Sequence, residues 1–332
     1  MIINNAILHI LDFNSDICVF SQKELDLSNN EICAYITKHI EHIQSDDARK
    51  QGAFINGSLF RECLQNYISS NATFIDFTNI IANKLYDQVS VSDKRDSIDF
   101  MVVDFTNENI SHIALLLLTN KVAYTHQVIN DAGNIHNEII KHHAILPSTA
   151  QKVDSYAIIR CDDLSINFSD KKRMIDGKDI FILPELLLQS TSTISSKEAI
   201  KLVNQITTRI AEEHGQNTTV ALSKAKNFLV ENAEISSSFS PAELGREVFA
   251  DSETMQDEFE RRISESELPP DIRIEKSFAI RTGRNHKIKT DTGIEITFPV
   301  EYFENRQYIE FVNNPDGTIS IELKNIGKII NR

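Results

Sequence analysis

The sequence predicts an α+β protein: a mixed N-terminal domain of antiparallel sheet and helices over residues 1–190, then, over 191–332, a helical segment, a basic loop and a small antiparallel β unit. Three observations carry this. Ile32, Ile36, Ile40 and Ile43 recur at helical spacing, the runs Phe100 to Val103 and Ile113 to Leu118 are continuously apolar, and beyond Leu268-Pro269-Pro270 apolar residues alternate strictly. A length of 332 residues favours two domains, at roughly 150 residues each.

In chain order, Ile7 to Leu11 and Ile17 to Phe20 read as opening strands, followed by the amphipathic helix ending near Gln44. Two further helices, Leu59 to Ile68 and Phe74 to Leu85, flank the break Ser69-Ser70-Asn71. The stretches Ile98 to Phe105 and His112 to Leu118 then read as central buried strands, joined as a hairpin through Thr106-Asn107-Glu108-Asn109. Ala157 to Arg160, Leu164 to Phe168 and Asp179 to Leu183 complete the strands of this half.

The polar stretch Gln189 to Ser196 suits a domain boundary or a simple loop. Ser195 with Glu198 and Ser240 with Glu243 then mark helix starts, the second strengthened by Pro241, whose missing N–H costs nothing at a first helical position. Ile294, Ile296 and Phe298 share one strand face, and Ile319, Ile321 and Leu323 another. Between Phe311 and Ile319, Asn313-Asn314-Pro315-Asp316-Gly317 is a turn, proline presetting φ and glycine accepting a positive one.

Composition removes whole classes of function. The hydrophobic fraction of 41% and charged fraction of 25% are those of a folded soluble protein. Only 10 Gly and 7 Pro occur, so glycine-rich phosphate chemistry has little to build on. The net charge of -14 disfavours uniform attraction to nucleic acid or anionic lipid. Cys18, Cys33, Cys63 and Cys161 lie too far apart for a CxxC pair and read as thiols of a reducing compartment. The first 13 residues lack a secretory signal pattern, and no apolar run approaches the roughly 20 residues that span a bilayer. A cytoplasmic protein without membrane contact is expected.

Several motifs resolve into plainer readings. Gly52 to Gly57 has G-x-x-x-x-G spacing ahead of a helix, but Ser58-Leu59 stands where Lys-Ser/Thr is required, and no strand is expected before it. Neither G-x-G nor G-x-S-x-G occurs. His136-Asn137-Glu138 matches half of a zinc deaminase signature without its P-C-x-x-C partner. His39 and His42 share a helix face without a third ligand, and the adjacent His142 and His143 cannot, so no metal or other cofactor is expected. Asp316, Glu322 and Lys324 imitate the PD-(D/E)xK nuclease pattern, two carboxylates for a metal and a lysine for the attacking water. Their short separation suits a hairpin with a solvated face better.

One segment departs from the acidic balance. KSFAIRTGRNHKIKT, residues 276–290, holds Lys276, Arg281, Arg284, Lys287 and Lys289 with no Asp or Glu, so it carries +5 while the other 317 residues carry -19. A concentrated basic segment neutralises phosphates while the acidic body repels non-specific contact. Arg281 to His286 reads as an exposed loop whose guanidinium and amide groups suit phosphates or base edges. The competing reading is an internal or subunit contact with acidic helices such as Glu253 to Glu267. Lys171-Lys172-Arg173 is a weaker cluster, offset by Asp170 and Asp176.

The order of features resembles the bacterial 37-kDa nucleoid-associated proteins of the YejK/NdpA type. The likeness runs from Ala6-Ile7-Leu8-His9-Ile10-Leu11 through Leu115 to Asn120, Leu164 to Phe168 and Ile182-Leu183. It continues to Ile274 to Phe278, Ile294 to Phe298 and Asp316 to Ile321. The resemblance implies association with the bacterial nucleoid, hence DNA binding directly or in complex, and carries no catalytic residues.

Three functions follow as expectations. The first is a non-enzymatic, largely sequence-tolerant DNA-binding protein, acting through phosphate contacts from Lys276, Arg281, Arg284, Lys287 and Lys289, as a homo-oligomer. The second is a metal-dependent nuclease using Asp316, Glu322 and Lys324. The third is a scaffold whose basic segment docks an acidic, chromosome-associated partner.

Overall fold

Apolar strands that leave no polar face must be covered on both sides, and the N-terminal half is built to do so. The computed structural model describes residues 1–13, 17–91, 97–131, 133–175, 177–266, 268–274, 276–283, 285–299, 302, 307–315 and 318–328. Contacts divide the chain into Met1–Ser195 and Ser196–Arg332.

The first unit opens with strands β1 (Ile2–Asp12) and β2 (Ile17–Val19), helix α1 (Asn30–Gln44), strand β3 (Lys50–Gly52), and helices α2 (Leu59–Ile68) and α3 (Phe74–Ser90). Strands β4 (Ile98–Asn107), β5 (Ile110–Thr119), β6 (Lys121–Asp131), β7 (Asn134–Ile145), β8 (Ser155–Arg160), β9 (Ile166–Ser169), β10 (Lys172–Ile175) and β11 (Lys178–Phe181) follow, and a π-helical turn over Ile182–Leu188 closes the unit. Seven strands form one antiparallel sheet in the order β2-β1-β4-β5-β8-β9-β3.

The expected hairpin is β4–β5, with Glu108 and Asn109 both at positive φ in its two-residue turn. Strand alternation sends Phe100, Val102, Leu115 and Leu117 to one side of the sheet, where they meet Phe60 of α2, Phe77 and Ile81 of α3, and Leu187 of the π turn. Met101, Val103, Leu116 and Leu118 go to the other side, against Ile36, Ile40 and Ile43 of α1. The continuous apolar runs are the record of this double burial.

Two local expectations are corrected and two local features are added, in that order. Strand β3 does precede the Gly52 to Gly57 loop; its three residues lack an alternating pattern of their own and are held by pairing with Phe168, Asn167 and Ile166 of β9. The strand expected over Asp179 to Leu183 ends at Phe181, where the chain coils into the π turn. The polar stretch after Gln189 is tied to the first unit, the Thr191 and Thr193 amides bonding to the Ala53 and Gln51 carbonyls at 2.9 Å each. Finally, β6 and β7, which no local pattern announced, form a two-stranded ribbon of their own.

The second unit contains α4 (Ser196–Glu213), α5 (Thr218–Ile235), β12 (Ser238–Phe239), α6 (Pro241–Val248), α7 (Glu253–Glu265), β13 (Ile272–Arg273) and α8 (Lys276–Gly283). Ser240 caps α6 by accepting from the Glu243 amide, with Pro241 at the first position as expected. Two antiparallel hairpins end the chain: β14 (Asn285–Lys289) with β15 (Glu295–Pro299), and β16 (Ile309–Asn313) with β17 (Ile319–Leu323). Asp316 and Gly317, in the turn expected between the last two strands, lie outside the described residues.

Candidate nucleic-acid interface

The basic segment is not a loop. Lys276 to Gly283 is helix α8 and Asn285 to Lys289 is strand β14, so the described cations Lys276, Arg281, Lys287 and Lys289 are set out along two regular elements. Gly283 ends the helix for a packing reason: a Cβ there would lie 2.2 Å from Val230 Cγ2 and 3.1 Å from the Lys226 carbonyl of α5. A glycine inside the expected loop Arg281 to His286 thus permits close approach of two helices.

Lys276 stands at the start of α8, and its ammonium pairs with Glu234 of α5. Arg281 lies in the last turn, its guanidinium carbon 5.7 Å from the centre of the Phe278 ring one turn earlier. On β14, Lys287 and Lys289 share a face by strand alternation, and both reach Glu295 of β15, at 2.7 and 3.8 Å. Hydrogen bonding to Lys287, reinforced by its charge, holds the Glu295 carboxyl below the usual carboxylate range. Arg284 lies outside the described residues, as does the side chain of His286.

Lys276, Lys287 and Lys289 thus have Glu234 and Glu295 as counter-ions rather than the acids of helix α7. That helix spends its acids nearer home, with Glu258 receiving His214 at 2.9 Å as well as the guanidinium of Arg262, which also reaches Glu213. All three lysines keep more than half of their side-chain surface exposed. Ion pairs this exposed contribute little, so the ammonium groups exchange partners readily.

Other motifs are placed as follows. The start of α2, behind the G-x-x-x-x-G loop, is occupied by the protein itself: Ser58 accepts from the Arg61 amide at 3.2 Å and Gln189 Oε1 from the Leu59 amide at 2.9 Å. Donors that would hold a phosphate are thereby spent. Lys324 pairs with Glu310, which lies directly opposite Glu322, and stands 3.5 Å from Glu322 itself; Asp316 is outside the described residues. Among the described residues no group of three or more His, Cys, Asp or Glu converges to hold a metal. His39 is buried, its ring edge-on to Tyr35 at 4.5 Å, while His136, His142 and His143 lie on β7. The four cysteines are free thiols.

The second basic cluster lies on β10. Lys172, joined by Lys50 of β3, places its ammonium over the Phe181 ring, and Lys171 pairs with Asp154. Asp170 turns its carboxylate in to accept from the Leu183 amide at 2.7 Å, and its charge still acts on Arg173 of the cluster, while Asp176 lies outside the described residues.

With both units described, comparison with known families adds one finding: the family model for nucleoid-associated protein YejK matches residues 7–330. The chain belongs to that family. The YejK match begins in β1 and runs past β17, so membership rests on both units and takes in the basic segment, the ribbon and the final hairpins. No curated protein sequence matches the chain. Among the described residues no helix is long and apolar enough to cross a membrane.

Proposed function

We propose that this nucleoid-associated protein binds DNA directly, without strong sequence preference and without catalysis, through phosphate contacts from Lys276, Arg281, Arg284, Lys287 and Lys289. The observation that carries the reading is the arrangement of Lys287 and Lys289 on one exposed face of β14, next to the cationic helix α8, in a chain of the YejK family. Phosphate contacts position a duplex without reading its bases. In this reading the cations of an acidic protein are held by Glu234 and Glu295 until DNA displaces the carboxylates. The site of action is the nucleoid, within the cytoplasm.

Fluorescence anisotropy with duplexes of unrelated sequence tests this. Binding is expected to be similar across sequences, to weaken steeply with salt as bound counter-ions are released, and to fall in Lys287→Glu/Lys289→Glu. Salt-independent binding, or none at low salt, overturns the proposal. Intact plasmid after incubation with magnesium or manganese is the matching expectation for the absence of nuclease activity.

A second reading is favoured by one observation: Lys276, Lys287 and Lys289 each already carry a glutamate. In that case the protein is a scaffold for a chromosome-associated protein whose acidic surface takes the place of Glu234 and Glu295. Pull-down after nuclease treatment separates the two, since a DNA-bridged partner is lost and a directly bound one is kept.

A further inference from the structure

Helix α1 ends at Gln44, and the chain turns there toward β3. The turn holds Asp46, whose side chain is 14% exposed. Tyr156 of β8 donates its hydroxyl hydrogen to Asp46 Oδ2 at 2.8 Å, and the Ala48 amide donates to Oδ1 at 3.1 Å. Tyr156 is fully buried on a strand paired on both sides, opposite Leu116 of β5 and Ser169 of β9, so the carboxylate is fixed to the sheet. Burial works against its ionisation, and the hydrogen bonds from Lys152, Ala48 and Tyr156 outweigh that, holding the Asp46 carboxyl below its ordinary value.

The remaining partner is of another kind. Lys152, in the connection between β7 and β8, brings its ammonium to 3.1 Å from Oδ1 and 2.9 Å from Oδ2. Its side chain is 54% exposed. A lysine this exposed gains little from its ion pair and regains rotamer freedom on leaving it. Asp46 is the opposite case, because a largely buried carboxylate that loses its cation keeps the cost of burial.

Beside the pair opens a cavity of about 220 Å³, walled by Ile43, Ala150, Val153 and Tyr156, of which Ile43 and Val153 are buried. The volume lies between the roughly 150 Å³ that takes a benzene ring and the roughly 300 Å³ at which drug-sized pockets begin. Its polar groups select a charge. His42 and Ser45, also on the wall, belong to the last turn and cap of α1, where backbone carbonyls and the helix dipole favour a cation. Ser45 spends its hydroxyl hydrogen on the His42 carbonyl at 3.1 Å, which leaves the oxygen an acceptor. Arg49 acts on Tyr156 by its charge and is not a wall residue.

We propose that this cavity binds the primary ammonium group of a small aliphatic amine, which pairs with Asp46 in place of Lys152 and lays its methylenes against Ile43 and Val153. One ammonium replaces another, so the charge balance at the buried carboxylate is kept. Lys152 swings to water, and the gain comes from apolar contact, about fourfold in affinity for each methylene buried. The proposal does not rest on DNA binding, and its test contains no DNA.

Methyl NMR of the full chain, labelled at isoleucine and valine and titrated with n-butylammonium chloride at constant ionic strength, decides it. The Ile43 and Val153 methyl signals are expected to shift saturably with a Kd of about 1 mM, within what so small a ligand allows. Ethylammonium, two methylenes shorter, binds about 15-fold more weakly. Lys152→Ala removes the tethered competitor and tightens binding by about tenfold or more, while Asp46→Asn abolishes it. Nα-acetyl-lysine methylamide tells a free amine from a protein lysine as the source of the group, binding more weakly than n-butylammonium in the first case and as well in the second. Absence of a saturable shift at these methyls overturns the proposal. So does a shift that Asp46→Asn retains, as ions merely condensing on an acidic protein would give, and so does a shift confined to Lys152→Ala, since Lys152 then never yields the site. Unchanged far-UV circular dichroism shows that each variant has folded.

Discussion

Tyr67 of α2 donates its phenolic hydrogen to Oδ2 of Asp104 on β4 at 2.5 Å, while Asn4 of β1 donates to Oδ1 of the same carboxylate at 2.9 Å. One carboxylate, 7% exposed, thus joins a helix to two strands. Burial, with Asp104 as acceptor and as neighbouring charge, pushes the Tyr67 hydroxyl well above its ordinary pKa, so the proton stays on tyrosine. Tyr67→Phe keeps the ring stacked on Phe77 but leaves Oδ2 without its donor. The expected loss is about 1–3 kcal/mol, the cost of an unsatisfied buried acceptor, measured by urea denaturation at unchanged m.

His9 gives the stability a defined dependence on pH. Its Nδ1 accepts from the Ser21 amide at 3.1 Å, and burial lowers its pKa to about 4. The unfolded chain protonates this residue near pH 6.5. Stability from His9 is complete above about pH 6.5, falls as pH falls toward about 4 at up to about 1.4 kcal/mol per unit, and levels off below. Asp170, whose carboxyl is pushed up by burial, works in the opposite direction. His9→Asn keeps an acceptor for Ser21 and does not titrate, so the difference between the two denaturation profiles isolates the histidine.

Gly245 in α6 lies against the ring of Phe259, and a Cβ there would stand 2.2 Å from Cδ1. Phe259 is fully buried and packs on Phe249 at 5.9 Å, so it has no room to yield. Gly245→Ala is expected to destabilise by about 1–3 kcal/mol through overpacking, despite alanine's better helix propensity. Thermal unfolding checks this, and adding Phe259→Leu restores part of the loss.

Glu295 holds both Lys287 and Lys289. If DNA displaces it, Glu295→Gln releases the two ammonium groups in advance. DNA affinity at low salt is expected to rise a few-fold, and the slope of log affinity against log salt to change by less than about 0.9 per phosphate contact, since no contact is added. Unchanged affinity places the phosphate contacts elsewhere on the chain.

How much of this was legible in the sequence depended on what each segment buries. Helices α1, α2 and α3 and strands β4 and β5 face a core, and burial wrote its period into residues such as Ile36 and Ile40 or Leu115 and Leu117. The ribbon faces no such core, so Tyr124 and Ile139 stand beside histidines and asparagines without a clean alternation to find. Gly283 looked like a loop residue because a glycine demanded by a neighbouring helix and one demanded by a turn are the same letter. The partners of the basic segment were hidden for another reason. Glu234 lies 42 residues from Lys276, and Glu295 faces Lys289 only once β14 and β15 are known to pair.

The ribbon also bears on the order in which the chain folds. Separating β5 from β8 by 35 residues rather than about three raises the entropy cost of joining them by about 2 kcal/mol, if the intervening chain is loose. Closing β6 against β7 first shortens the effective loop to Asn120 and the residues after Ile145. If β6 pairs with β7 before β5 meets β8, a segment the finished sheet could do without spares the chain most of that closure cost.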